Sequence, residues 1–180
     1  MGHRTVNLNY PIDRIQQKPG GCGIASAAMD INYVTNKKYS YDDIFEANDK
    51  SVYVDWAKII KNLEKKGEKG LKYTRIPSGS TKSTFAKLKT DLFNQLYYNK
   101  RPVIAYIENN SGGTHFVVVN GFHGTLSFLP DDNGNEYPSP AEAKADMFKI
   151  VDPGYENHYT LADVMNYYKG ELKSLHFYYK

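Results

Sequence analysis

The chain has 180 residues, 41% hydrophobic and 24% charged, and its 23 basic and 20 acidic side chains leave a net charge of +3. That length suits one domain, predicted over 1–180, with a core large enough to hold without covalent staples. The mild charge excludes nucleic acid as the default partner, the 16 Tyr and 8 Phe exclude disorder, and the single Cys excludes an internal disulfide or a multi-cysteine zinc site.

Residues 1–18 read as an extended entry that ends in the turn Lys18-Pro19-Gly20-Gly21. From Cys22 the pattern turns helical, with Ile24, Ala27, Ala28, Ile31 and Val34 spaced as one buried face, and Asn36-Lys37-Lys38 ends it. Ser40 caps a short helix over 41–48. Val54, Ala57, Ile60 and Leu63 predict a helix over 52–66 closed by Gly67, followed by a strand over 71–76. Phe85, Leu88, Leu92, Phe93 and Leu96 place a long helix over 80–98, broken by Pro102. Strands follow at 103–107, 116–122, 147–151 and 174–179. A Gly-, Pro-, Asp- and Asn-rich insertion fills 124–146, and Thr160 caps a short helix over 160–168. Helices in the first half packed on an antiparallel β-sheet formed by the second half make an α+β fold.

Cys22 stands where a glycine-rich loop meets the start of an Ala-rich helix. The unpaired N–H groups and partial positive charge of a helix start stabilise a thiolate, the nucleophilic form of cysteine. A nucleophilic thiol needs a base, and the base needs an orienting group. Of five histidines, His115 opens the strand His115-Phe116-Val117-Val118-Val119 directly after Gly112-Gly113-Thr114. The strand over 147–151 ends in Asp152-Pro153-Gly154, and antiparallel pairing with the His115 strand sets Asp152 beside His115. Acyl chemistry also needs donors for a developing oxyanion: the Cys22 N–H is one, and the amide of Gln16 or Gln17 is a second. A metal site built from His115, His123 and Asp152 is the weaker reading. The two histidines lie roughly 27 Å apart at about 3.3–3.4 Å per residue.

Taken in order, Gln16, Gly21-Cys22-Gly23-Ile24-Ala25-Ser26-Ala27-Ala28-Met29, His115 to Phe122 and Ile150-Val151-Asp152-Pro153-Gly154 resemble the papain-like cysteine peptidases. The match is closest to the bacteriocin-processing (double-glycine) peptidases and their stand-alone relatives. The resemblance implies a papain-like fold, Cys22 as nucleophile, His115 as base, Asp152 as orienter and Gln16 as the oxyanion donor. It implies no metal and no cofactor, and a protein or peptide substrate cut through an acyl-enzyme, after a Gly-Gly motif in a bacterial protein. The chain departs from the family pattern at Gly21, where an Asp usually precedes the Cys, and in the long His–Asp separation.

The same thiol chemistry serves deamidation and transglutamination. A secreted bacterial effector or toxin domain, with an inhibitor or immunity protein as a further partner, is therefore the first alternative. A non-catalytic peptide-binding module on the same fold is the second. No apolar run spans a membrane and MGHRTVNLNY lacks the apolar stretch of a signal peptide. The expected location is the cytoplasm, or outside the cell by a route without a classical signal peptide.

Overall fold

The computed structural model describes residues 2–77 and 83–180. In chain order the elements are β1 (Gly2–Asn9), α1 (Cys22–Thr35), α2 (Tyr41–Ala47), α3 (Trp56–Glu64), β2 (Lys72–Ile76), α4 (Phe85–Tyr97), β3 (Val103–Glu108), β4 (Thr114–Pro130), β5 (Glu136–Pro138), β6 (Phe148–Val151), α5 (Leu161–Tyr168) and β7 (Glu171–Tyr179). Local chemistry starts several of them. The Ser40 hydroxyl accepts the Asp43 N–H while the Asp43 carboxylate accepts the Ser40 N–H, and Thr160 and Asp163 repeat that reciprocal pair at α5. Asp55 caps α3, which therefore begins at Trp56 and not at 52 as the apolar spacing predicts. Residues 80–82 of the helix expected over 80–98 lie outside the described residues.

All strand pairs are antiparallel, in the order β1-β4-β3-β7-β2, with β5 and β6 also paired to β4. The sheet is covered on both faces, which is why β3 and the first half of β4 are almost continuously apolar. Val103, Ala105, Ile107, Val117 and Val119 pack with Leu88, Leu92 and Phe93 of α4 and with Leu161 and Val164 of α5. The alternate residues, Ile104 and Val118, meet Met29 of α1. The antiparallel α+β class expected from the sequence holds, but the halves are not cleanly segregated: β1 and β2 come from the first half and α5 from the second.

Two further differences position the site. The insertion expected over 124–146 is strand as far as Pro130, because β1 pairs along it from Gly2↔Phe128 to Asn9↔Gly121. Leu126 and Phe128 alternate inward there, while Thr125 stays exposed. A Cβ on Gly121 would overlap the Leu8 carbonyl oxygen, so a residue without a side chain is required where the two strands close. The second difference is α1. Its sequence spacing predicts one buried face, yet every residue from Gly23 to Ile31 is buried. Small Ala25, Ser26, Ala27 and Ala28 let the sheet and α2 approach from several sides.

That complete burial includes a charge-bearing residue. Asp30 accepts the Tyr178 N–H of β7 at 2.8 Å through Oδ2, while its Oδ1 and the Ser26 hydroxyl have no partner among the described residues. Burial, opposed by the Tyr178 hydrogen bond and by Arg101, pushes the carboxyl up to about 8, so Asp30 is neutral through most of the physiological range.

Candidate active site

The site forms where α1 begins, β4 begins and β6 ends. Gly20 adopts the left-handed conformation (φ +71) in a turn closed by the Gly21 N–H on the Lys18 carbonyl, which delivers the chain to Cys22. No side chain caps α1 at Gly21, so no side chain competes for the N–H groups of its first turn. Tyr41 fills the space beside Gly21: a Cβ there would overlap the Tyr41 hydroxyl. Any side chain at this position, including the Asp of the family pattern, would require the Tyr41 ring to move. A Cβ on Gly23 would lie 2.5 Å from Val54 Cγ2 and 3.3 Å from the Phe116 ring, so α1 seats directly on the strand that carries His115. Cys22 itself is half-buried.

His115, 2% exposed, is the second residue of β4. β6 pairs with β4 at Val118↔Val151 and Val119↔Ile150, and the next residue along the chain is Asp152, 1% exposed. His115 Nε2 lies 2.8 Å from Asp152 Oδ1. A carboxylate only accepts, so Nε2 carries the hydrogen. Nδ1 is then the nitrogen left for Cys22, the ring's second side-chain partner. Tyr168 of α5 stacks on the ring at 4.7 Å. Burial works against a charged His115, but the hydrogen bonds to Asp152 and then Cys22 outweigh it and raise the imidazole to about 9. For Asp152, burial likewise opposes the charge, and the hydrogen bonds from His115, His158 and the Gly154 N–H hold the carboxyl below its usual range. An imidazolium beside a half-buried sulfur through neutral pH is what nucleophilic thiol chemistry uses.

The two glutamines sit differently. Gln16 is exposed: its Oε1 accepts from Arg14 Nη2 at 2.7 Å, and its Nε2 reaches the Gln17 carbonyl at 3.4 Å. Gln17 donates its backbone N–H to the Pro153 carbonyl at 2.9 Å, and its Oε1, against Gly154, is buried with no partner among the described residues. With Lys18, Pro19, Tyr155 and Tyr168 they line a cavity of about 290 Å³ at this end of the sheet.

Two residues escaped the sequence reading. Arg14 donates Nε–H to the Asp152 carbonyl at 2.8 Å and Nη2–H to the Pro153 carbonyl at 3.1 Å, and so ties the segment before Cys22 to the turn after β6. His158, expected in a polar loop, places Nδ1 2.7 Å from Asp152 Oδ2. Neither has a local motif, because each acts through a neighbour that is defined only once β4 and β6 pair. His123 pairs with Asn7 in the middle of β4, away from His115. Among the described residues no group of three or more His, Cys, Asp or Glu is arranged to hold a metal ion, and no helix is long and apolar enough to cross a membrane.

Residues 9–174 match the model of the Peptidase_C39 like family. Comparison with curated proteins gave no match. Among solved structures the chain is similar to the peptidase domain of Streptococcus ComA, a bi-functional ABC transporter involved in a quorum sensing pathway. The TM-score is 0.53 and the identity 16%, over 94% of this chain and 98% of that one. It is also similar to a double glycine motif protease from an AMS/PCAT transporter in complex with the leader peptide, with a TM-score of 0.52 and 17% identity over 94% and 92%. These likenesses give the papain-like fold.

Proposed function

The chain belongs to the Peptidase_C39 like family, and we propose that it is a thiol peptidase in which Cys22, His115 and Asp152 form the catalytic triad. The observation that carries this reading is the buried His115–Asp152 contact at 2.8 Å, with the other nitrogen of the imidazole left for a half-buried Cys22 at a helix start.

In this mechanism the Cys22 thiolate attacks a peptide carbonyl while His115 stands as imidazolium. The Cys22 N–H and Gln16 Nε2 stabilise the oxyanion. His115 Nδ1 then gives its proton to the leaving amine, leaving a thioester on Cys22 and a neutral imidazole. Water attacks the thioester with His115 as base, the acid product leaves, and the thiolate–imidazolium pair returns. Asp152 keeps Nε2 protonated, so Nδ1 is always the nitrogen that serves the sulfur. The substrate class is a peptide or an extended protein segment, with a Gly-Gly motif as the first sequence to try because one structural neighbour is a double glycine motif protease.

The test has two arms. Iodoacetamide at pH 6 should alkylate Cys22 much faster than it alkylates glutathione, whose thiol has an ordinary pKa near ~8.5 and is almost fully protonated there. Mass spectrometry of a Gly-Gly peptide incubated with the protein should show a cut chain. An inert thiol sinks the reading, and conversion of glutamine to glutamate without a cut replaces peptidase with deamidase.

Gln16 and Gln17 are separated by kinetics. Gln16→Ala should lower kcat by roughly 10²–10³, the usual effect of losing one oxyanion donor, with little change in KM. Gln17→Ala should leave kcat within a few-fold. The reverse ranking would assign the donor to Gln17.

A further inference from the structure

Asp152 has two oxygens and three donors. Oδ1 accepts from His115 Nε2 and from the Gly154 N–H, both at 2.8 Å. Oδ2 accepts from a second imidazole, His158 Nδ1, at 2.7 Å. His115 alone would leave the carboxylate one oxygen free to rotate towards water or towards another donor. The second imidazole removes that freedom, because each oxygen now has a ring nitrogen of its own.

His158 is built to stay there. Its side chain is 9% exposed. Tyr155 and Tyr167 pack on its ring at 4.8 and 5.2 Å, and their hydroxyls are joined to each other at 2.9 Å. Tyr167 packs in turn on Tyr168, whose ring lies on His115. A closed circuit of side chains therefore runs from His115 through Asp152, His158, Tyr155, Tyr167 and Tyr168 back to His115. A carboxylate accepts only, so Nδ1 of His158 carries the hydrogen, as Nε2 of His115 does.

We propose that His158 is a positioning residue for the reaction: by holding Oδ2 of Asp152 it fixes the plane of the carboxylate, and through it the orientation of the His115 ring towards Cys22. The inference rests on the triad reading above and deepens it. A partner of this kind acts on orientation more than on substrate binding, so its loss falls on kcat and on the reactivity of the thiol–imidazole pair, with KM little changed.

The test compares His158→Phe, which keeps a ring between Tyr155 and Tyr167 but has no donor, with His158→Asn, whose amide nitrogen replaces Nδ1. The first readout is iodoacetamide alkylation of Cys22 at pH 6, which needs no substrate; the second is kcat and KM on a Gly-Gly peptide. His158→Phe should lose roughly 10–100-fold in both the alkylation rate and kcat, the scale seen when the outer hydrogen-bond partner that orients a metal-bound imidazole is removed. His158→Asn should restore both to within a few-fold of the parent. A purely structural role predicts that the two variants differ in melting temperature and not in alkylation rate. If His158→Phe does not fold, His158→Ala serves in its place, with the Asn variant again the rescue. A donor-free variant that alkylates and turns over like the parent overturns the inference and leaves the triad standing. A parent protein whose Cys22 is inert at pH 6 overturns both.

Discussion

Cys22→Ala should reduce peptide cleavage to the floor of any assay, a loss on the order of 10⁶-fold in kcat, the scale reached when a nucleophile is removed from an intact triad. The change is confined to chemistry. Alanine is the best helix former, and Cys22 is only half-buried at the first position of α1, so the fold has little to lose. Peptide binding should survive, which makes this variant a substrate trap. It should also lower the pH at which His115 titrates, since the Cys22 hydrogen bond ranks just behind that of Asp152 in holding the ring near 9. Histidine ring resonances followed by NMR in the parent and the variant measure that fall directly. A variant that keeps measurable turnover, or a His115 that titrates identically in both, would remove Cys22 from the site.

The second large effect is on folding. Two buried groups, Asp30 and His176, pull the pH dependence of stability in opposite directions. His176 lies against Trp56 at 4.7 Å with Tyr73 Oη and Ser174 Oγ on its two nitrogens, and burial followed by Arg75 lowers it to about 3. Its pKa is depressed on folding, so the unfolded chain binds a proton that the native state refuses between about 6.5 and 3, and stability falls with acid. Asp30 is raised to about 8, so the native state holds a proton that the unfolded chain has lost above 3.8, and stability falls as pH rises through 8. Between roughly pH 4.5 and 6.5 the two slopes, each about 1.4 kcal/mol per pH unit, cancel. Below that window the carboxylates of Glu68 and Asp152, held down in the native state, add to the acid loss. Above it His115, raised to about 9, joins Asp30 and stability drops more steeply.

Asp30→Asn keeps an acceptor for the Tyr178 N–H and removes one of the two opposing slopes. Urea unfolding of the parent should give nearly the same free energy at pH 4.5 and 6.5, whereas Asp30→Asn should gain about 2 kcal/mol over that interval. Parallel curves for the two proteins would mean that Asp30 is ionised in the native state.

Much of this organisation is legible in the sequence where the controlling chemistry is local. Ser40 and Thr160 announce α2 and α5, because a capping box is written within four residues. The strand over 147–151 ends in Asp152 and the strand from 115 begins at His115, so antiparallel pairing alone brings the two together. What stays hidden depends on partners distant in the chain. β1 alternates only in its second half, at Val6 and Leu8, and its full length follows from its pairing with β4. Leu126 and Phe128 carried the signal for the far half of β4, but Gly124 and the Asp131–Asn135 turn masked it as a loop. Nothing near His158 or Arg14 hints that both address one aspartate. Asp30, on a helix read as one-faced, looks like a surface residue until α1 is seen to be enclosed.

The pairing of β4 with β6 shifts register once, between Val119 and Gly121, and Asn120 at that step exchanges hydrogen bonds with Tyr10. His115 and Asp152 both lie to the same side of this step, where the Val118↔Val151 and Val119↔Ile150 pairs set one against the other, so spacing between landmarks, and not only their identity, is under constraint here. Adding or deleting one residue between Phe116 and Val119, or between Phe148 and Val151, would turn the imidazole or the carboxylate to the opposite face of the sheet while altering composition hardly at all. The exposed tip from Asp131 to Asn135 is free to lengthen. Divergence within such a scaffold is therefore channelled into its hairpin ends, and the central ladder behaves as a ruler.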